Sequence, residues 1–364
     1  MKPIRPPLLL KSRIAPPSPS RVISTTTSNV RPKTAIFFPG QGSQKPGMLT
    51  PLTKAFPRTV IPLLDQLDDF LPGLRPVLFD GPSTYLTETP NAQPAILISS
   101  IAILRVLEKD FGVDPAKFDY FFGHSLGEFT ALVAAGIISL QDALQLVRQR
   151  GVSMAAVTAK SESEVGMFAL IVERGQVKNL EQQIREFIDS EALGEDEFLS
   201  IANVNSSTQL VISGHVSAIM NCVNQIRKFK GNDPRAVRLN VSAPFHSGIM
   251  APAMSVVRRM LREIDMNEDN VSKVVSNVSG RPYRHLIEMQ ENLSRQCVET
   301  VRWKDSVEWL EKKCGVDRWV GIGPGRVQTN LVGQEVKGGR GSVVAVEGMD
   351  VQGMEDAAKA LGDL

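Results

Sequence analysis

The chain has 364 residues, of which 42% are hydrophobic and 22% charged, so it can bury a large core. Its net charge of +2 is too small to favour nucleic-acid binding, and no run of 18 apolar residues predicts a membrane-spanning helix. The cysteines, Cys222, Cys297 and Cys314, lack the spacing of a zinc site or a disulfide framework, so we expect no metal and a reducing compartment.

The first 32 residues differ in composition from the rest of the chain. They are rich in Lys, Arg, Ser, Thr and Pro, and the first acidic residue of the chain is Asp65. This bias is typical of a mitochondrial transit peptide, and a disordered leader is the alternative. Residues 1–32 are therefore interpreted as a transit peptide or disordered leader, and the mitochondrial matrix is the expected location.

A buried strand at residues 34–38 is predicted to begin the ordered part of the chain, and a loop with two glycines around Gln41 follows it. Glycines in this arrangement indicate a backbone that approaches another group closely. The G-x-G-x-x-G fingerprint of dinucleotide binding fails because Lys45 occupies the place of its third glycine, so NAD is not expected. Residues 95–107 then predict a buried helix.

The sequence Gly123-His124-Ser125-Leu126-Gly127 has the G-x-S-x-G spacing of a nucleophile elbow. Aromatic residues at 118–122 predict a short buried strand before it, and helix formers at 126–135 predict a helix that ends at Gly136. In this strand-turn-helix context Ser125 is raised above the sheet edge and can attack an acyl carbon. The alternative is an ordinary serine in a turn flanked by glycines.

The next helix is predicted to start at Ser139, with Asp142 three residues later in the first turn. Its apolar stripe also contains Arg150, whereas Arg148 points the other way. A guanidinium keeps its charge and is costly to bury alone, so Arg150 needs an anionic partner. From the residues alone, a substrate anion and a structural Asp or Glu are equally good partners.

Residues 166–240 predict a β-α-β-β-α-β order, which is the ferredoxin-like pattern. The strands are predicted at 167–172, 199–203, 209–213 and 237–241, and the helices at 176–188 and 217–229. Further strands at 271–275 and 318–321, a helix at 303–313 and a tight turn at 323–325 into a last helix region belong to the larger unit.

The predicted fold is thus α/β, with a hydrolase-like large subdomain built on a parallel sheet and an inserted ferredoxin-like small subdomain. We assign residues 33–165 and 241–346 to the large subdomain and residues 166–240 to the small one. Residues 347–364 are expected to form a C-terminal helix or tail.

A nucleophilic serine needs a base within hydrogen-bond reach, most often histidine. His246 is favoured because it lies where the chain re-enters the large subdomain, in a loop that Pro244 constrains. His124 lies inside the elbow, His215 ends a strand of the small subdomain, and His285 lies in a polar connection. No Asp or Glu has a context that marks it as the third member of a triad.

The developing oxyanion needs two backbone N–H donors. The amide after the nucleophile, that of Leu126, is the default first donor, and the loop around Gln41 could present the second.

Taken together, the motifs at 38–44, 123–129, 150–151 and 244–247 resemble malonyl-CoA:acyl-carrier-protein transacylases, over about residues 34–346. The resemblance implies a ping-pong transfer of the malonyl group from malonyl-CoA to the phosphopantetheine thiol of acyl carrier protein, in type II fatty acid synthesis. It implies no cofactor besides the CoA thioester and the partner's phosphopantetheine. We expect a monomer whose partners are malonyl-CoA and acyl carrier protein, with no nucleic acid and no membrane.

The resemblance also implies roles for individual residues. Arg150 would bind the malonyl carboxylate, for which a planar guanidinium is well shaped. Gln296 would orient the histidine through its main-chain carbonyl, which would account for the missing acid. The other implied roles are Ser125 as nucleophile, His246 as general base, Gln41 and Leu126 as oxyanion-hole amides, and Gln93 in the wall of the same cleft.

Two alternatives stay open: a serine hydrolase or thioesterase on a similar elbow, and a catalytically silent scaffold for fatty-acid or polyketide assembly. Carrier proteins are typically acidic, so a docking face should be basic. The candidate cluster is Arg227, Lys228, Lys230, Arg235 and Arg238, for which a solvated charged face is the other interpretation.

Overall fold

The computed structural model describes residues 31–229 and 233–362. Most of the predicted leader, residues 1–30, lies outside this part of the chain. The strands within it are β1 (Lys33–Phe38), β2 (Tyr120–Gly123), β3 (Val165–Ile171), β4 (Leu199–Ser206), β5 (Gln209–His215), β6 (Arg235–Arg238), β7 (Val316–Ile322) and β8 (Val343–Val346).

The helices surround two sheets. They are α1 (Thr50–Ala55), α2 (Pro57–Phe70), α3 (Leu74–Asp80), α4 (Ser83–Thr87), α5 (Thr89–Phe111), α6 (Leu126–Ala134), α7 (Leu140–Ala159), α8 (Val177–Ile188), α9 (Val216–Phe229), α10 (Ala251–Glu263), α11 (Leu286–Arg295), α12 (Trp303–Trp309), α13 (Val327–Glu335) and α14 (Val351–Leu361).

The first sheet has four parallel strands in the order β2-β1-β7-β8. Strand β1 is central, and its side chains alternate between two buried clusters. Ile36 and Phe38 pack into the larger cluster, whereas Ala35 and Phe37 face the cluster that contains Trp303. A parallel sheet covered on both faces requires strands that are apolar throughout, which explains the run of buried residues in β1.

The second sheet is antiparallel, with the strand order β4-β5-β3-β6. Its elements follow one another along the chain as β3-α8-β4-β5-α9-β6, which is the predicted β-α-β-β-α-β order. Side chains from α8 and α9, including Leu180, Ile184 and Val223, pack with Leu210 and Ile212 of β5 into a separate apolar cluster. The small unit therefore has its own core.

Backbone contacts at Val301 join the second sheet to the first unit. Val204 N–H donates to Val301 O at 3.0 Å, and Val301 N–H donates to Ala202 O at 2.8 Å. Strand β4 is thereby held by the segment that immediately precedes α12. This contact fixes one wall of the space between the sheets.

Helix α5 is the one helix in the described residues that is long and apolar enough to cross a membrane by length and composition. However, 89% of its most apolar window is buried inside the fold, where it packs against α2, α6 and α7. It is longer than predicted at both ends, because Pro90 in the first turn is compatible with a helix start and Gly112 ends the helix in the left-handed conformation.

The predicted strand at 271–275 is wrong. Val271–Lys273 form a 3-10 turn, and Val274 and Val275 make only isolated bridges, to Phe121 and Pro282. The valines are buried, but the chain turns back directly after Val275, where Gly280 N–H donates to Ser276 O, so the antiparallel contact with Pro282 stays a single bridge.

The prediction also placed the last strand of the small unit too late, at 237–241. Strand β6 ends at Arg238, and the following residues 239–241 line a cavity instead. The elements α3, α4, α10, α11 and β8 were not predicted. Helix α14 lies in the segment 347–364, for which a C-terminal helix or tail was expected.

Candidate active site

Ser125 lies in the turn between β2 and α6, at φ 52° and ψ −104°. Within residues 31–229 and 233–362, Ser125 and His246 are the only non-glycine residues with positive φ. Glycines make the close approach of strand and helix possible, because a Cβ on Gly123 would come within 2.0 Å of Gly127 C and one on Gly127 within 2.4 Å of Phe38 O. The sequence thus enforces the raised serine that the elbow requires.

His246 is 2% exposed and hydrogen bonds on both sides of its ring. The Ser125 hydroxyl lies 2.8 Å from Nε2, and Gln296 O lies 2.7 Å from Nδ1. Because a carbonyl oxygen only accepts, Nδ1 carries the proton and Nε2 is left to accept from the serine. Burial, and then the charge of Arg150, lowers the pKa of His246 to about 3, so the ring is neutral at physiological pH.

Arg150 extends from α7 towards the serine and is 2% exposed. Its Nη1 donates to Gln93 Oε1 at 2.7 Å, and its Nη2 donates to Gln296 Oε1 at 2.8 Å and to Ser125 Oγ at 3.2 Å. All of these acceptors are neutral, and Arg150 Nε has no hydrogen-bond partner. In the described part of the chain, no carboxylate contacts this guanidinium directly, so its charge is available to an anion that enters the site.

A chain of hydrogen bonds links Arg150 to the loop at Gln41. Gln93 is fully buried and donates from Nε2 to Thr89 Oγ1 at 2.9 Å, and Thr89 Oγ1 donates to Gln41 Oε1 at 2.8 Å.

Leu126 is the first residue of α6, so its N–H has no acceptor within the helix. The backbone amide of Gln41 lies in the loop after β1, and that of Leu126 lies in the first turn of α6. Both segments border Ser125 in the cavity.

A cavity of about 360 Å³ opens above Ser125 between the two sheets. Gln41, Leu126, Arg150 and His246 line it together with the serine. The remaining walls come from the second sheet, from the chain after β6 and from α13, and include Asn203, Asn205, Gln209, Val241, Phe245 and Gln328.

The structure therefore brings together all seven residues that the sequence singled out. Ser125, His246, Arg150, Gln41 and Leu126 line the cavity, whereas Gln93 and Gln296 lie behind Arg150 and hold its guanidinium through their side-chain oxygens.

The other histidines have separate partners. His124 Nε2 lies 3.0 Å from Asn205 Oδ1, His215 Nδ1 accepts from Phe198 N–H, and His285 Nδ1 accepts from Glu288 N–H at the start of α11. His246 is the histidine that contacts Ser125 in the described residues.

Of the predicted basic cluster, Arg227 and Lys228 lie on α9, and Arg235 and Arg238 lie on β6, directly before the cavity-lining residues 239–241. Arg227 pairs with Asp233 at 2.7 Å, and Arg238 pairs with Glu164 at 2.6 Å. Arg235 is exposed, and Lys230 lies outside the described residues.

Three buried residues of the site were missed by sequence reasoning. Asn277 Oδ1 accepts from Ser125 N–H at 2.7 Å, and Asn277 Nδ2 donates to Gly123 O at 2.7 Å, so this side chain clamps both ends of the turn. Glu128 and Tyr283 form a buried hydrogen-bonded pair beneath it. A lone carboxylate in an otherwise apolar helix was the available signal for Glu128, whereas Asn277 had none.

Comparisons with known proteins agree with this geometry. The acyl transferase domain family matches residues 36–345. The malonyl CoA-acyl carrier protein transacylase of Bacillus subtilis (strain 168) is 36% identical over 301 residues, which cover 82% of this chain and 89% of the relative. The protein of the same name from Haemophilus influenzae is 35% identical, with 82% and 91% covered.

Solved structures show the same relationship. The acyl-carrier-protein-S-malonyltransferase of Bartonella henselae has a TM-score of 0.79 and 35% identity, covering 91% of this chain and 99% of that one. A malonyl-transacylase solved in complex with a type II PKS acyl-carrier protein has a TM-score of 0.78 and 31% identity, covering 90% and 99%. The chain therefore belongs to the acyl transferase domain family and, within it, to the malonyl-CoA:acyl-carrier-protein transacylases.

Proposed function

We propose that this protein transfers the malonyl group of malonyl-CoA to the phosphopantetheine thiol of acyl carrier protein through an acyl-enzyme on Ser125. The observation that carries the proposal is the position of Arg150, whose Nη2 lies 3.2 Å from the serine oxygen and contacts only neutral acceptors. A thioester bound at Ser125 with a carboxylate at its far end would pair with this charge by charge-assisted hydrogen bonds. An acyl group without a carboxylate would leave the buried charge unpaired.

In the first half-reaction, Ser125 Oγ attacks the thioester carbon while its proton passes to His246 Nε2, 2.8 Å away. The carbonyl oxygen becomes an oxyanion, which the backbone N–H groups of Leu126 and Gln41 would stabilise. The C–S bond then breaks, and the CoA sulfur takes the proton from His246. Gln296 O accepts from Nδ1–H throughout and favours the protonated ring of the intermediate.

The charge of Arg150 is one of the causes that lower the pKa of His246. When a malonyl carboxylate pairs with Arg150, that positive charge is offset, and the imidazole becomes a stronger base in the loaded site. Substrate selection and base activation are thus coupled in one contact. An acetyl thioester would leave the base weak.

The second half-reaction reverses the first with a different thiol. The phosphopantetheine thiol of the carrier protein gives its proton to His246 Nε2 and attacks the malonyl ester, and Ser125 recovers its proton. The amide side chains of Asn203, Asn205 and Gln209 in the cavity wall suit the amide groups of a pantetheine arm. The complex of a relative with its acyl-carrier protein supports this choice of partner.

The pathway and the location are part of the same proposal. The malonyl-acyl carrier protein that forms would supply type II fatty acid synthesis, and the basic, serine-rich and acid-free composition of residues 1–32 supports delivery to the mitochondrial matrix. Imaging of a fluorescent protein fused behind residues 1–33 tests the location, and a diffuse cytosolic signal would contradict it.

Intact-mass spectrometry tests the reaction. The wild-type protein mixed with malonyl-CoA should gain one malonyl group, keep it in buffer, and lose it when phosphopantetheinylated carrier protein is added. The Ser125→Ala variant should gain nothing, and carrier protein without phosphopantetheine should remove nothing. Loss of the adduct in buffer alone would identify a hydrolase, and absence of any adduct would indicate a silent scaffold.

A further inference from the structure

Glu128 is a fully buried acid on α6, three residues after Ser125, and the mechanism above does not use it. Its Oε1 accepts from Tyr283 O–H and from Asn277 N–H, the latter at 3.1 Å, and its Oε2 accepts from Gln296 Nε2 at 2.5 Å. All three partners donate. The site is therefore built for an ionised carboxylate, which can only accept.

The carboxylate determines how the Gln296 amide is oriented. Because Glu128 accepts from Gln296 Nε2, and Ser125 O accepts from the same nitrogen at 2.9 Å, the other end of the amide, Oε1, faces Arg150 Nη2 at 2.8 Å. The main-chain oxygen of Gln296 holds His246 Nδ1. A single glutamine thus contacts the nucleophile, the base and the guanidinium, and Glu128 anchors it.

We propose that Glu128 is a positioning residue for the transfer reaction: through Gln296 it keeps the Arg150 fork and the His246 ring aligned on Ser125. This inference rests on the proposed function. It also explains why no acid side chain of residues 31–229 and 233–362 contacts the imidazole, since Glu128 acts on the ring through Gln296. If the carboxylate were neutralised, it would have to donate one hydrogen bond, and the Gln296 amide could turn its NH2 group towards the guanidinium.

Electrostatics support the same role. Glu128 and Arg150 act on each other across the Gln296 amide, and each favours the charged form of the other. Because Glu128 and Arg150 are not in direct contact, the carboxylate offsets part of the positive charge of Arg150 and leaves its N–H groups able to bind a substrate carboxylate. A direct ion pair would instead compete with the substrate.

Glu128 also sets an expected pH dependence. Burial raises the pKa of Glu128 to about 7, against the opposing effects of its hydrogen bonds with Tyr283, Gln296 and Asn277 and of the charge of Arg150. The titratable or charged groups around it are Tyr283 and Arg150, with Cys297 and His246 beyond Arg150, His124 beyond His246 and Glu288 beyond Tyr283. Burial raises the pKa of Tyr283 and of Cys297 and lowers that of His124, His246 stays neutral down to about pH 3, and Arg284 lowers the pKa of Glu288. Glu128 is therefore the group whose pKa is moved towards neutrality.

The test is the second-order rate of Ser125 acylation between pH 5.5 and 8.5, followed by intact mass. The acyl donor is malonyl-N-acetylcysteamine, which carries no phosphate, and the second-order rate reports ionisations of the free protein. The wild-type rate should fall towards acid with a midpoint near pH 7, where the pKa of Glu128 lies. Glu128→Gln should acylate roughly 10- to 100-fold more slowly at pH 8, as expected for misaligned groups, and should lose this midpoint.

Two further variants complete the test. Tyr283→Phe removes a donor that holds the pKa of Glu128 down, so the midpoint should move to higher pH even if Glu128→Gln fails to fold. Glu263→Gln, an exposed change on α10, should match the wild type. A Glu128→Gln protein that acylates at the wild-type rate, a midpoint that persists in it, or a midpoint that Tyr283→Phe leaves unmoved would overturn the inference. Absence of any wild-type acylation would instead refute the proposed function.

Discussion

The guanidinium of Arg150 on α7 donates to the hydroxyl oxygen of Ser125, in the turn before α6, across 3.2 Å, although the two residues lie 25 positions apart. The same hydroxyl lies 2.8 Å from His246 Nε2. The nucleophilic oxygen of Ser125 is therefore within hydrogen-bond distance of both the base and the cation. The carboxylate of a short acyl group can therefore contact the Arg150 guanidinium while the acyl carbon is bonded to Ser125 Oγ.

Replacing Arg150 by methionine should reduce the kcat/KM for malonyl-CoA by about 10²- to 10³-fold, because two charge-assisted hydrogen bonds to the carboxylate are lost. Acetyl transfer should rise, since the charge that lowers the pKa of His246 is removed. Steady-state kinetics with both donors measure the change. Arg148→Met on the same helix is the control, because Arg148 bonds to Asn91 instead, and equal losses in both variants would contradict the carboxylate role.

Acid should destabilise the wild-type protein more than a His246→Asn variant. The folded-state pKa of His246 is lowered to about 3 from an ordinary value of 6.5. Between these values the unfolded chain binds a proton that the native state does not, so stability is full above pH 6.5 and falls as the pH decreases towards 3. The difference in unfolding free energy between the two proteins should change by up to about 1.4 kcal/mol per pH unit.

Urea denaturation at several pH values from 4.5 to 7.5 measures this difference. Because the two proteins share every other titratable group, the contributions of the carboxylates, including Glu128, cancel in the difference between their unfolding free energies. Asparagine suits the positive φ of position 246, so the variant should fold. A difference that stays constant across the range would show that the ring is not held neutral by burial.

Replacing Gly127 by alanine should lower the free energy of unfolding by about 3 kcal/mol, since the added methyl group would lie 2.4 Å from Phe38 O and overpack the contact of helix and strand. Thermal or chemical denaturation provides the measurement. Gly341→Ala is the matched control, because a Cβ there meets nothing within 4 Å. Similar losses at both positions would argue against the tight elbow.

Charge reversal at Arg235 and Arg238 should raise the KM for acyl carrier protein roughly tenfold and leave that for malonyl-CoA unchanged, because rim charges mainly affect encounter with an oppositely charged partner. Added salt should reduce the difference. Lys109→Glu, an exposed change on α5, serves as the control. An unchanged KM for the carrier protein would remove this face from consideration as its docking surface.

Local patterns predicted much of the fold. The buried strand β1, the serine-capped start of α7 and the β-α-β-β-α-β order follow from short-range apolar periodicity and capping, which act within a few residues. The valine-rich segment after residue 270 misled the prediction, because strand pairing there depends on distant partners and on a turn that the apolar pattern does not encode.

Only those site residues that lie in recognisable sequence motifs could be predicted with a role. Ser125 and His246 stood in recognisable contexts, whereas the partner of Arg150 could not be decided from the residues alone. Glu128 was missed because its contacts with Asn277 and Gln296 span 149 and 168 positions. Polar networks of this kind are assembled by tertiary structure, and single-sequence patterns do not record them.

The left-handed backbone at Ser125 has a consequence for how this protein can change over time. Such conformations cost about 1–3 kcal/mol in residues with a side chain, and glycine adopts them freely. The inert Ser125→Gly protein should therefore withstand heat better than the working one. At this position, a substitution that increases thermal stability removes catalytic activity. Selection for the reaction product therefore keeps the serine in place.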